Sequence, residues 1–354
     1  MKRMLLLLIC LMFLCPAAQA QQETLTLSFV GDCSMGEMIE NRGKEGSYTN
    51  VLDTKGFDWP FSLVRHVLEE DDFTFANNEV VYTTRKKHQE KRFNLIAAPE
   101  YAAVYHHTGI DAVNTANNHA LDFFMEGYDD SLAVLDGEGI AHFGTLYPGT
   151  KRQRDQLGIY EVKGIKIGAM GFSYPQDTDL KHIKNRIETL RAEGCDLVIV
   201  SLHWGREVQF TPESWQFTYA RKVIDQGADV IWGHHPHVLQ PVQFYKGKPI
   251  FYSTGNFTFG SMSDVDKNTG IFQITYQLEE GVPRLYSFSV LPCRTQGKGD
   301  FRPLPLTDAK EKETMLKKLI YKKNVKNMVN LPAEFANTGI VYLSGESLTT
   351  EIPK

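Results

Sequence analysis

The stretch "ADVIWGHHPHV" (residues 228–238) sets an apolar run directly against three histidines in six residues. The run reads as a buried strand, and the glycine and polar residues after it read as the loop leaving its carboxyl end. In open α/β sheets ligands bind at that end of the strands, so histidines placed there point to a metal. Pro236 fixes its own φ and disfavours helix before it, which predicts an extended His235. His235 and His237 then sit at i and i+2 with both rings able to face one ion, and His234 is left a supporting place.

Outward from this stretch the same pattern repeats. Apolar runs such as "TLTLSFVG" (24–31), "KIGAMGFSY" (166–174) and "DLVIVSLHWG" (196–205) alternate with helix-like segments such as "SLAVLDGEGI" (131–140) and "IKNRIETLRAEG" (183–194). Strand and helix in alternation predict an α/β fold with a largely parallel sheet. After Gly270 the alternation in "FQITYQLEEGVPRLYSFSVLP" predicts an antiparallel hairpin that closes the domain. One domain is expected over residues 22–295, with the Lys-rich stretch 296–354 as a small appendage or tail.

The first twenty residues, "MKRMLLLLICLMFLCPAAQA", have the basic start, short apolar centre and small-residue ending of a secretory signal. Cleavage after Ala20 and an extracytoplasmic location are the expectation, at the cell surface, in the periplasm or as a released protein. Beyond that segment only Cys33, Cys195 and Cys293 remain. At most one disulfide can form, so stability must come from the core. The formal net charge is −5, without the basic excess that nucleic-acid binding requires. The charge run "TTRKKHQEKR" (83–92) is expected to be an exposed loop.

Six segments place candidate ligands after strands. Asp32 follows "LTLSFVG", Glu79 follows "FTFANN", and "NTANNHALD" (114–122) carries Asn117, Asn118, His119 and Asp122. A helix cap explains one asparagine there, but not two beside a histidine with an aspartate three residues on. That aspartate can fix the tautomer of His119 and support its charged form. His203 leaves "LVIVSL", with Glu207 four residues later; His235 and His237 follow Trp232; and Gly255-Asn256 makes a tight turn. Carboxylate, amide and imidazole donors without thiolate suit a divalent ion such as Mn, Zn or Fe. Six protein ligands exceed what one catalytic ion uses, whereas two ions sharing a carboxylate take them all. Two-metal sites of that kind serve phosphoester hydrolysis.

In this order, "FVGD", "NNE", "ANNHALD", "HWGRE", "GHHPHV" and "YSTGNF" resemble the bacterial capsule-synthesis family of poly-γ-glutamate production (CapA-type), a branch of the calcineurin-like metallophosphoesterase superfamily. The resemblance runs from about Leu25 to Phe259. It implies a four-layer α/β/β/α sandwich of metallophosphoesterase type with two divalent metal ions at the strand ends. Asp32, Glu79, Asn118, His203, His235 and His237 take the ligand positions, with Glu79 as the bridging carboxylate. His119 resembles the proton donor to the leaving oxygen, and Asp122 its orienting acid. The chain departs from the wider superfamily at Asp32-Cys33-Ser34, where many members carry Asp-x-His, and at Glu79, where they carry aspartate. Two readings follow. The first is an exported metal-dependent hydrolase with phosphoesterase-type chemistry on an anionic envelope polymer or another phosphoester. The alternative is a non-hydrolytic envelope component that helps a membrane synthase make or export an anionic polymer. Nucleic acid is not an expected partner, and an exported nucleotidase-like enzyme is a third reading.

Overall fold

A computed structural model describes residues 23–260 and 266–352; the expected signal segment lies outside the described residues. The chain forms two packed sheets. In the first, the strand Thr24–Ser34 is flanked by Phe73–Asn78, parallel to it, and by Asn268–Glu279, antiparallel to it. Ala112–Asn114 and Ala141–Leu146 extend this sheet in parallel. In the second, Ile165–Ser173, Leu197–His203, Val230–His234 and Lys248–Phe251 run parallel in that order. Ala141–Leu146 also pairs with Ile165–Ser173 through Thr145 and Phe172, which joins the two sheets at one edge.

Strand periodicity sorts the side chains into layers, because successive residues face opposite sides. Leu25, Leu27 and Phe29, with Phe73 and Phe75, face Ile167, Ile199, Val230 and Trp232 across the sheet–sheet interface. On the outer side of the first sheet, Ala76 and Val113 pack under Val51, Leu52, Leu68 and Leu135 of its helices. On the outer side of the second, Val198, Val200 and Ile231 pack under Ile183, Ile187 and Val223. The architecture is therefore the four-layer α/β/β/α sandwich. The helix Ser214–Asp225 begins at a capping box of Glu213 and Gln216 and turns Phe217, Ala220 and Ile224 to the sheet. Trp232 ties the layers together: it is fully buried, and its indole N–H donates to the carbonyl of Val30 at 3.1 Å.

The expected hairpin is present. Asn268–Glu279 pairs along its length with Val282–Thr295, and the two turn residues Glu280 and Gly281 have φ of +53° and +79°, the signature of a tight primed turn. The stretch after residue 295 is not a loose tail. Its strand Ile340–Ser344 pairs with Val282–Thr295, and Leu316, Leu319, Phe335 and Val341 enter the inter-sheet core. Cys33, Cys195 and Cys293 are free and buried, so no disulfide forms among the described residues. No helix among the described residues is long and apolar enough to cross a membrane.

Candidate metal centre

Parallel register brings the polar strand ends level. In the first sheet Asn114 is paired with Asn77, Asn77 with Asp32, and Asp32 with Asn256. In the second, Ser173 is level with His203 and His203 with His234. The ladder slips between Phe29 and Asp32, a local irregularity of the kind that re-aims a side chain. Gly31 permits the slip, since a Cβ there would stand 2.0 Å from the carbonyl oxygen of Gly255.

Two carboxylates form the floor of the site. Asp32 and Glu79 are fully buried, and Asn77 binds both, donating from Nδ2 to Asp32 Oδ1 at 2.8 Å and to Glu79 Oε2 at 3.2 Å. Asn77 Oδ1 in turn accepts from the side chains of Asn114 at 3.0 Å and Asn117 at 3.3 Å. Above this row, the Nε2 atoms of His119, His203 and His237 stand 3.9, 3.9 and 3.8 Å from Glu79 Oε1, beyond hydrogen-bonding distance. His237 Nδ1 lies 2.8 Å from Asn256 Oδ1 and 3.3 Å from Asp32 Oδ2. His234, fully buried against Trp232, places Nδ1 2.8 Å from Asp32 Oδ1. Two groups of possible ligands emerge, Asp32–Glu79–His237 and Glu207–His235–His237, sharing His237.

The backbone of the histidine loop differs from the expectation. His235 is not extended: its φ is +92°, and that of His237 is +56°. Left-handed conformations cost bulky residues free energy and concentrate at functional sites. The turn is held by Val208, itself at φ +57°, whose N–H donates to the carbonyl of Pro236 at 2.9 Å. That contact folds the loop after His203 back and carries Glu207 to His235 and His237.

The electrostatics follow from burial and like charge. Burial works against the charge of Asp32, but His234 and His237 outweigh it and hold the carboxyl well below the usual carboxylate range. Glu79 is pushed well above it by burial and by the charge of Asp32. Burial, reinforced by neighbouring imidazoles, lowers His203 well below its ordinary value and His235 to about 3. His237 resists burial because Glu79 and Asp32 face it, and it is pushed up to about 10. At neutral pH His203 and His235 are therefore neutral, the form that binds metals, whereas His237 holds a proton that a bound cation would displace.

The donor set fits a divalent cation. Glu79 Oε1, both ring nitrogens of His203 and His235 Nδ1 are buried without a hydrogen-bond partner, and each such orphan costs about 1–3 kcal/mol unless something satisfies it. Cys33 is not among the converging groups; its thiol bonds the carbonyl of Gly31 and packs in the outer core. Asp32, Glu79, His203, His235 and His237 thus meet at one place. Asn118 stands at its edge, with Oδ1 buried and unpartnered. His119 and Asp122 form the adjoining pair: Nδ1 of His119 lies 2.8 Å from Asp122 Oδ2. Burial lowers His119 below its ordinary value, with Asp122 opposing. Asp122 also accepts from the N–H of Leu95 at 2.6 Å and pairs with Lys91 at 2.5 Å. The charge run 83–92 therefore reaches back to the site through Lys91, although most of it is exposed as expected.

Four residues of the site stand outside the ligand set expected from the sequence. Asn77, Glu207 and Asn256 lie in the candidate segments, but an exposed acid in a loop and asparagines at a strand end and a tight turn have ordinary structural uses; Asn114, which opens the Asn114–Asp122 segment, is not singled out by the sequence. Asn77 and Asn114 stand near the carboxyl ends of their strands, and Glu207 four residues beyond another.

The fold and this cluster define an α/β/β/α protein with a carboxylate–imidazole centre, suited to a divalent metal, at the carboxyl ends of its strands. The chain belongs to the bacterial capsule synthesis protein family PGA_cap, whose model matches residues 26–261. It is 32% identical over 252 residues to the PGA biosynthesis protein CapA of Bacillus subtilis (strain 168), a match covering 67% of this chain and 64% of that one. It is 28% identical over 327 residues to the capsule biosynthesis protein CapA of Bacillus anthracis, covering 86% and 75%. The match thus spans just under two thirds of the length of the first of these relatives. Among solved structures, the 5'-nucleotidase precursor from Thermus thermophilus superposes with a TM-score of 0.44 at 13% identity, covering 80% of this chain and 55% of that one.

Proposed function

We propose that this chain is an exported, metal-dependent hydrolase with phosphoesterase-type chemistry that serves poly-γ-glutamate or another anionic envelope polymer. The carrying observation is the set of buried, unpartnered carboxylate and imidazole atoms around Glu79 Oε1. Asp32, Glu79, His203, His235 and His237 would hold divalent ions, two by the size of the donor set, with Asn118 and Glu207 at their margins. When bound, such ions supply Lewis-acid stabilisation of charge on the reacting oxygens.

The chain's own residues do the rest. Asp32 supplies negative charge held by Asn77, and Glu79, held by the same asparagine, would give up its proton to a bound cation. His119 is oriented by Asp122 through Nδ1, which leaves Nε2 facing the cluster to hold a proton and deliver it to a departing oxygen. Lys91 and the N–H of Leu95 hold Asp122 in place for that task. The test is metal analysis of the mature protein together with turnover of 4-nitrophenyl phosphate and bis(4-nitrophenyl) phosphate in Mn²⁺, with His119→Ala as control. Metal-dependent turnover that falls at least about a hundredfold in the variant is expected for a lost proton donor. Unchanged turnover in His119→Ala overturns the mechanism.

One observation favours the alternative of a polymer-handling component working with a membrane synthase. Ser34 stands near where the wider superfamily carries a ligand histidine, and its hydroxyl is buried without a partner. Co-purification with membrane proteins, without metal-dependent turnover, decides for that reading.

A further inference from the structure

Beside the centre lies a cleft of about 290 Å³ to which no part has yet been given. Its walls come from the ends of the strands Ala141–Leu146 and Ile165–Ser173 and from the Asn117–Leu121 loop. Two of its lining residues lead towards the centre. Asn118 lines it, and Tyr174, also in its wall, places its hydroxyl 3.1 Å from His235 Nε2, with the two rings packed edge to face at 5.0 Å.

Three features give the cleft a chemical preference. Leu121, Leu146, Pro148 and Phe172 make it largely apolar, and no Lys, Arg or His lines it. Its one charged lining residue is Asp179, so a second anionic group would be repelled. Two tyrosines frame it, Tyr147 and Tyr174, 43% and 45% exposed, at φ of +51° and +45°. Large aromatic residues that are both solvent-exposed and in the left-handed region pay twice, in strain and in apolar exposure. The apolar exposure is recovered when a flat group covers the rings, and the strain that holds them in place is the kind that concentrates at ligand-binding sites. A larger depression of about 610 Å³, between Gln176–Asp177 and the helix Ser214–Asp225, includes none of the converging histidines.

We infer that this cleft is a specificity subsite that binds an uncharged, planar, ring-sized group of a ligand whose anionic end sits at the centre. Tyr147 and Tyr174 are the specificity-determining residues. The inference rests on the proposed anion-handling centre, so the test separates the two. Methylphosphonate and phenylphosphonate carry the same head and are not hydrolysed, and their binding to the Mn²⁺-loaded protein is compared by calorimetry. The phenyl compound should bind about tenfold more tightly, the scale expected for burying a few ring carbons. In Tyr147→Ala that advantage should fall to less than about twofold while methylphosphonate affinity is unchanged. Equal binding of both compounds to the wild-type protein overturns the subsite and leaves the centre standing. Binding of neither overturns both. A phenyl preference that survives Tyr147→Ala and also Tyr174→Ala shows that the ring sits elsewhere, and overturns the assignment.

Discussion

Replacing Asn77 by alanine tests what holds the two buried carboxylates together. Asn77 makes two hydrogen bonds to Asp32 and Glu79 and receives two from Asn114 and Asn117, all within a fully buried neighbourhood. A bond to a charged group contributes about 1.5–3 kcal/mol, and an orphaned buried donor costs about 1–3 kcal/mol. Glu79 takes the proton readily, which weakens its share, and a water entering the vacated space recovers part of the loss. A destabilisation of about 3–6 kcal/mol remains, a large fraction of the 5–15 kcal/mol that holds a typical domain. The assay is urea unfolding at pH 7 in the presence of EDTA, so that metal binding does not mask the effect. A second arm sharpens it: in an Asp32→Asn background the penalty should shrink by about 1.5–3 kcal/mol, because the charge that Asn77 serves has gone. A loss below about 1 kcal/mol, or a penalty unchanged by Asp32→Asn, would refute the view that Asn77 is the brace of the site.

Three further outcomes are expected. Glu207→Gln should weaken Mn²⁺ binding at least about tenfold by calorimetry, since even outer partners of metal ligands cost about 10–100-fold; unchanged affinity would remove Glu207 from the centre. Asp71, where the chain enters the strand Phe73–Asn78, is raised to about 7 by burial. Below pH 4 both folded and unfolded states bind its proton. As pH rises towards 7 the unfolded chain ionises first, so stability falls across that window and is level above it. Asp71→Asn should flatten this part of the pH–stability curve, and an identical curve would dismiss the carboxyl as its source. Finally, removing residues 296–354 strips Met315, Leu316, Leu319, Phe335 and Val341 from the core. At about 1.5–3 kcal/mol each, that is roughly 8–15 kcal/mol. The truncated chain should not melt cooperatively by circular dichroism, whereas a cooperative melt would make the segment an appendage after all.

What the sequence made legible, and what it hid, divides along physical lines. Strands buried on both faces read as continuous apolar runs, so "LVIV" and "VIW" announce parallel strands under helices. The stretch after residue 295 hid its role because its pieces are short. Leu316, Leu319, Phe335 and Val341 follow no single period, and only the sheet they pack against reveals them as core. Glu207 was hidden differently: an exposed acid four residues past a strand is ordinarily solvated, and its place depends on a left-handed Val208 bonding the carbonyl of Pro236. The strained His235 and His237 belong to the same turn, and local preferences around Pro236 pointed the other way. The histidine-rich turn became readable as a site only beside the other strand ends. A parallel ladder fixes the level of each residue against its neighbours, and Asn114, Asn77, Asp32 and Asn256 fall on one row. The hydrogen bonds from Asn114 to Asn77 and from Asn77 to Asp32 run along that row. Residues far apart in sequence thus meet because strand pairing sets them at the same height, Asn114 and Asn77 at or near the end of their strands, Asp32 near the end of its own and Asn256 at the start of its own, and that pairing determines which polar side chains share the centre.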